Sequence, residues 1–213
     1  MSSNSLNNYL NQWDRQIPID QCNRTLSELT KLPSGYIKFG YQWVDTLPLK
    51  NLFLYGIWGS GKTSFSCSLI RHFLISVFQK GDFPFPRYVF SRDLDSCLLE
   101  AIKKGTDLYE LEKWCSPLIL LIDDIDKVTA TESFKIRFFD LLKKRIEQKK
   151  VTIITSNYNP TELSHLLDGA LLSRMEDKSS WQLIEFPDKD LRKLNLEANT
   201  IRFTNEGQYT IER

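Results

Sequence analysis

Eight residues restrict the fold more than any other stretch. Gly56-Ile57-Trp58-Gly59-Ser60-Gly61-Lys62-Thr63 fits G-x-x-x-x-G-K-S/T, the phosphate-binding loop. That pattern needs a strand before it and a helix after it. Asn51-Leu52-Phe53-Leu54-Tyr55 is a short, bounded apolar run and reads as a buried strand. Ser64 to Phe78 holds neither Gly nor Pro and reads as a helix. In this setting Gly56, Gly59 and Gly61 let the backbone wrap an anion without Cβ clashes, and successive N–H groups point inward. The helix N-terminus adds a favourable dipole. Lys62 is expected to reach the β- and γ-phosphates of a nucleotide, and the Thr63 hydroxyl to bind Mg²⁺. Ser60 and Ser64 belong to the same cradle.

A chain of 213 residues is long enough for one α/β domain with its own core. Its formal net charge of +1 does not announce nucleic-acid binding, so any such surface must be a local patch. Cys22, Cys67, Cys97 and Cys115 form no C-x-x-C pair, and only His72 and His165 could join them. Zinc is therefore not expected; free thiols in the cytoplasm or an equivalent reducing compartment are. The start, Met1-Ser2-Ser3-Asn4-Ser5, lacks the basic and apolar regions of a secretory signal. No apolar run approaches the ~18 residues of a membrane span.

Residues 1–14 are rich in Ser and Asn and read as a flexible tail. Residues 15–192 read as the core, and residues 193–213 as a polar tail. Trp13 to Pro48 is a lead-in segment packed on that core. Further strands are expected at Arg87–Ser91, Leu118–Ile122, Val151–Thr155 and Trp181–Phe186. Leu118–Ile122 is the most apolar and is placed at the sheet centre; Trp181–Phe186 is placed at an edge. Helices are expected at Asp93–Lys103, Asp107–Trp114, Leu163–Leu167 and Ala170–Met175. Another should open at a capping box, Thr129-x-x-Glu132, and run to about Lys149. Strands alternating with helices make a parallel α/β sheet. Gly56, Asp123 and Asn157 fall at C-terminal strand ends, where such sheets bind ligands.

Asp123 is the candidate to hold Mg²⁺ with Thr63. Asp124 points elsewhere and is the candidate to orient and activate the attacking water. Asn157 could hydrogen-bond the γ-phosphate or the water, or serve only the turn Asn157-Tyr158-Asn159-Pro160. Arg174 could stabilise transition-state charge from a neighbouring subunit, or pair with Glu176 or Asp177. Lys143-Lys144-Arg145 and Lys149-Lys150 read as a solvated helix end opposing the dipole, or as a patch for DNA. Phe83, Phe85 and Tyr88 read as core aromatics, or with Arg87 as a stacking and charge surface for single strands.

From about Arg15 to Arg192 the chain resembles the AAA+ ATPases, and within them the helicase loaders DnaC and DnaI and the transposition helper IstB. Leu54-Tyr55-Gly56 through Lys62-Thr63 is similar to Walker A, and Leu121-Ile122-Asp123-Asp124-Ile125 to Walker B. Thr155-Ser156-Asn157 resembles sensor 1, Leu172-Ser173-Arg174-Met175 the box of the trans arginine finger, and Asp190-Leu191-Arg192 sensor 2. Ile17-Pro18 resembles the segment beside the adenine. The resemblance implies a P-loop NTPase three-layer αβα sandwich with a five-stranded parallel sheet of order 5-1-4-3-2, and an insertion helix near Asp93–Trp114. It also implies ATP and Mg²⁺ as ligands and head-to-tail homo-oligomers. The implied partners are a helicase-like or transposase-like protein and single-stranded DNA. The stretch before Arg15 is too short for the loaders' helicase-gripping domain, so a partner is expected on another surface. Pro187–Arg213 is too short for a full lid domain, which sets the initiator DnaA apart. The implied function is ATP hydrolysis coupled to assembly on DNA. The alternative is a low-turnover nucleotide-dependent switch or scaffold regulating a partner. A small-molecule kinase would need an arginine-rich lid and an acceptor pocket, and neither is evident. Trp58 has no role legible in the sequence.

Overall fold

The computed structural model describes residues 3–21, 23–46, 48–81, 84–167, 169, 173, 175, 177–192, 201–203 and 209–211. Strands β1 (Asn51–Tyr55), β2 (Arg87–Phe90), β3 (Ile119–Asp123), β4 (Val151–Ser156) and β5 (Trp181–Glu185) form one sheet. All are parallel, and their order is β2-β3-β4-β1-β5, the 5-1-4-3-2 order read from the other edge. The central strand is β4, not β3 as its apolarity suggested. Both are buried along their whole length, so apolarity alone could not rank them. The edge strand β5 is buried only at Trp181, with half-buried Gln182 and Ile184 alternating with exposed Leu183 and Glu185.

The alternation of side chains divides the core in two. Leu52, Leu54, Ile119, Leu121, Val151 and Ile153 face helices α1 (Ser3–Asp14), α2 (Ser34–Asp45) and α3 (Lys62–Gln79). Phe53, Leu120, Ile122, Ile154 and Trp181 face α4 (Ser91–Lys104), α5 (Asp107–Cys115), α6 (Glu132–Glu147) and α7 (Pro160–Leu166). Helices on both faces of a parallel sheet make the three-layer αβα sandwich. Cys67 and Cys115 are buried in these two clusters, and Cys97 packs against the second.

Three expectations need correction. The segment read as a flexible tail contains α1. Tyr9, Leu10 and Trp13 share one helical face and sink into the core, and Asn7, Asn8 and Asn11 face outward. Asp14 pairs with Arg71 at 2.7 Å, and the Tyr9 hydroxyl donates to the Pro84 carbonyl at 2.6 Å. Helix α6 is capped by Thr131, not Thr129: the Thr131 hydroxyl accepts from the Phe134 N–H at 3.2 Å. The basic run at its end is solvated only in part: Lys143 and Lys149 are exposed. Arg145 is fully buried, Lys144 pairs with Glu112, and the Lys150 ammonium donates to the Ser116 carbonyl.

Helix α7 starts at a capping box in which Asn159 and Glu162 bond each other's backbone N–H groups. The expected helix at 170–175 lies mostly outside the described residues. So do Cys22 and Phe83. Within the segment read as a polar tail, β6 (Ile201–Phe203) and β7 (Tyr209–Ile211) pair antiparallel.

Candidate nucleotide-binding site

The loop between β1 and α3 carries the positive φ values that its glycines allow. At Gly59, φ is 74°, and an added Cβ would lie 1.9 Å from the Asp190 carboxylate. At Gly56, φ is 141°, and a Cβ would lie 2.9 Å from the Phe186 carbonyl. Both clashes involve the chain leaving β5. The Phe186 N–H donates to the Tyr55 carbonyl at 2.7 Å, and the Leu191 N–H to the Gly59 carbonyl at 2.9 Å. This strap brings Arg192, paired with Asp190 at 3.2 Å, to the mouth of the loop.

Lys62 is buried at the start of α3. Its ammonium donates to the carbonyls of Gly56 (2.8 Å) and Ile57 (2.9 Å) and to Asn157 Oδ1 (3.1 Å). Burial pushes its pKa down, while Asp124, Asp126 and Asp123 pull it back up. Asp123 is 2% exposed, and three hydroxyls donate to it: Thr155 at 2.6 Å, and Thr63 and Tyr88 at 3.0 Å each. Burial still raises its carboxyl above the usual range.

Asp124 has φ 53°, a left-handed backbone uncommon outside glycine. Its N–H donates to the Thr155 hydroxyl at 2.8 Å, and its carbonyl accepts from the Ser91 hydroxyl at 2.6 Å. With the backbone pinned on both sides, the residue lines the cavity beside Lys62. Burial, then Asp123 and Asp126, push its carboxyl up to about 6. Asp126 accepts from the Asn157 backbone N–H at 2.8 Å and from Asn157 Nδ2 at 2.9 Å. Both amide hydrogens and the oxygen of Asn157 are thereby oriented, with the oxygen toward Lys62. Burial raises the Asp126 carboxyl, but those donors and Lys127 hold it below its ordinary value.

A cavity of about 670 Å³ opens over the loop. Lys62, Thr63, Ser64, Asp124, Asn157 and Arg192 line it, together with Gln21, Arg24 and Lys31. Ile17 and Pro18 are not on its wall. Ile17 is buried in the core, and the Pro18 carbonyl closes the short turn that carries Gln21 there. Arg174 lies outside the described residues. Ser60 is fully buried, and its hydroxyl has no hydrogen-bond partner among the described residues. Trp58 is 62% exposed and holds the Lys127 ammonium 4.7 Å from its ring centroid, a cation–π pair at the rim.

The donors suit a hard divalent cation. A hydroxyl and a carboxylate oxygen stand 3.0 Å apart at Thr63 and Asp123, beside a cradle with room for phosphates. Among the described residues no cluster of three His, Cys, Asp or Glu side chains could bind a metal by itself. Mg²⁺ needs none, since it takes one or two protein oxygens plus substrate phosphates and water. Sequence reasoning missed Asp126 and Tyr88 as parts of the site, and the bond from Thr155 to Asp123. Asp126 had a visible signal, the acidic run Asp123-Asp124-x-Asp126.

A glycine loop after β1, a buried acid ending β3 and an Asn following β4, on a 5-1-4-3-2 sheet, define a P-loop NTPase of the AAA+ type. The chain belongs to the bacterial DnaA ATPase domain family, whose model matches residues 44–180. The chromosomal replication initiator DnaA of Limosilactobacillus reuteri is 30% identical over 141 residues, covering 66% of this chain and 30% of that protein. The chain thus matches less than a third of the length of this curated relative. A solved replication initiator DnaA bound to AMPPCP and single-stranded DNA superposes with a TM-score of 0.64 at 23% identity, over 81% of this chain and 55% of that one. The DnaC helicase loader superposes with a TM-score of 0.61 at 19% identity, over 72% and 89%. The initiator had been set apart on the length of the C-terminal segment; the family match overturns that, and the loaders are neighbours in fold. Among the described residues no helix is long and apolar enough to cross a membrane.

Proposed function

We propose that this chain binds and hydrolyses Mg·ATP, and that hydrolysis is coupled to head-to-tail assembly on DNA with a protein partner during replication initiation or helicase loading. The observation that carries the reading is convergence. Lys62 with Thr63, Asp124, Asn157 and Arg192, from four separate places in the chain, line one cavity at the C-terminal edge of the sheet. Asp123 lies directly beneath it, bonded to Thr63.

In this reading Lys62 gives up the loop carbonyls for the β- and γ-phosphates. The Thr63 hydroxyl and Asp123 carboxylate would hold Mg²⁺, which would supply neutralisation of the phosphate charge. Asp124 accepts the proton of the attacking water. Asn157, held by Asp126, orients that water or the γ-phosphate, and Arg192 meets the phosphates from the strap. Arg174 acts across the interface, on the neighbour's nucleotide. A heterologous interface of this kind builds rings or open spirals. With a net charge of +1, DNA affinity must come from several copies aligned on one strand.

Complementation tests the assembly. Arg174→Ala and Asp124→Asn should each bind ATP and lose ~10³-fold in turnover, the scale of an arginine finger or a catalytic base. Their mixture should recover activity, because a mixed interface joins one intact Arg174 to one intact Asp124. A dead mixture, with wild-type turnover per subunit independent of protein concentration, contradicts action in trans. ATP binding without turnover in the wild type favours the switch instead.

A further inference from the structure

Asp123 is gripped from a direction that the motif does not explain. One carboxylate oxygen accepts from Thr155 (2.6 Å) and Thr63 (3.0 Å). The other accepts from the Tyr88 hydroxyl (3.0 Å), with Thr63 farther off at 3.3 Å. Tyr88 sits on edge strand β2, in register with Leu121, while Phe90 is in register with Asp123. Its ring therefore leans along the strand by two residues, roughly 6.6 Å. Tyrosine spans that distance and ends in a donor.

The edge strand is itself tied down at this point. The Tyr88 N–H donates to Gln16 Oε1 at 3.4 Å, and Gln16 Nε2 donates to the carbonyls of Gln12 (3.0 Å) and Pro86 (3.4 Å). Gln16, two residues past the end of α1 and bonded back to Gln12 within it, thus fixes the segment that aims Tyr88. The ring packs on the α1–α3 side of the core and edge-to-face on Phe90, with centroids 5.6 Å apart.

We propose that Tyr88 is a positioning residue for the cation site: its hydroxyl holds the Asp123 carboxylate in place when the Thr63 hydroxyl turns from Asp123 to the metal. The proposal rests on the reading of Thr63 and Asp123 as the Mg²⁺ holders. Once Thr63 has turned to the metal, Tyr88 is the donor left to this oxygen of the buried carboxylate among the described residues, and without it the group is free to rotate. Partners that orient a metal's ligands typically contribute 10- to 100-fold to affinity.

Tyr88→Phe isolates the hydroxyl, because the ring and its packing stay. Binding of a fluorescent ATP analogue to the full chain is measured in EDTA and across a Mg²⁺ titration. The expected result is unchanged affinity in EDTA and a Mg²⁺ half-saturation point raised about tenfold. A half-saturation point within about twofold of wild type overturns the proposal. Affinity lost equally in EDTA also overturns it, since the hydroxyl would then serve the fold and not the cation. A wild type that binds ATP without regard to Mg²⁺ removes the reading of Thr63 and Asp123, and that outcome is seen before any variant is made.

Discussion

Asp124→Asn leaves Mg·ATP affinity within about twofold of wild type and lowers steady-state turnover about 10³-fold, close to 4 kcal/mol of barrier. The amide matches the carboxylate in shape but cannot take a proton from water. Asparagine also tolerates the left-handed backbone at φ 53°, so the bonds to Thr155 and Ser91 survive. The substitution should not weaken the fold. Burial, Asp123 and Asp126 raise the Asp124 carboxyl to about 6. The folded state therefore disfavours the charged form, and stability falls as pH rises through that value. At neutral pH the neutral amide removes this opposition. Loss of Mg·ATP binding in the variant would make Asp124 a metal ligand and exchange the roles of the two acids.

Arg145→Met destabilises the protein by about 3–5 kcal/mol, although it touches neither the cavity nor the surface. The guanidinium is fully buried, and burial lowers its pKa only to about 10, so it stays charged at neutral pH. Its partners are the carbonyls of Trp114, Cys115, Pro117 and Val151 and the Thr152 hydroxyl. It thereby ties the C-terminus of α5 and the start of β4 to the last turn of α6. A cation is favourable at the end of α5, where the dipole is negative. Methionine fills much of the space but leaves these buried acceptors unpaired. For a chain of this size the melting temperature should fall by about 10 °C, read by calorimetry. A shift under about 2 °C would mean that water replaces the guanidinium at little cost.

The sheet was legible because β1, β3 and β4 are short apolar runs ending in Gly56, Asp123 and Asn157. Propensity and punctuation act on adjacent residues, so they found the strands and the phosphate loop. They could not give the strand order, which came from the resemblance and not from any local pattern. Composition misled at α1, where abundant Ser and Asn hid the spacing of Tyr9, Leu10 and Trp13. It misled again at Arg145, because a basic run looks solvated until α5 and β4 are folded around it. Asp126 and Tyr88 escaped notice for a related reason. Each acts on a residue of another strand, Asn157 or Asp123, and such pairs exist only in three dimensions. Trp58 found its explanation in the same way, through Lys127.

Equilibrium binding of ATP to the wild type and to Lys62→Ala tests the central claim most directly. Lys62 is the buried cation at the centre of the cradle, hydrogen-bonded to loop carbonyls that ATP would displace. The account predicts saturable, Mg²⁺-dependent binding by the wild type and affinity weaker by about 100-fold or more in the variant, the loss of one or two charge-assisted bonds. Equal affinity in the two proteins, or no binding by a folded wild type, would contradict it.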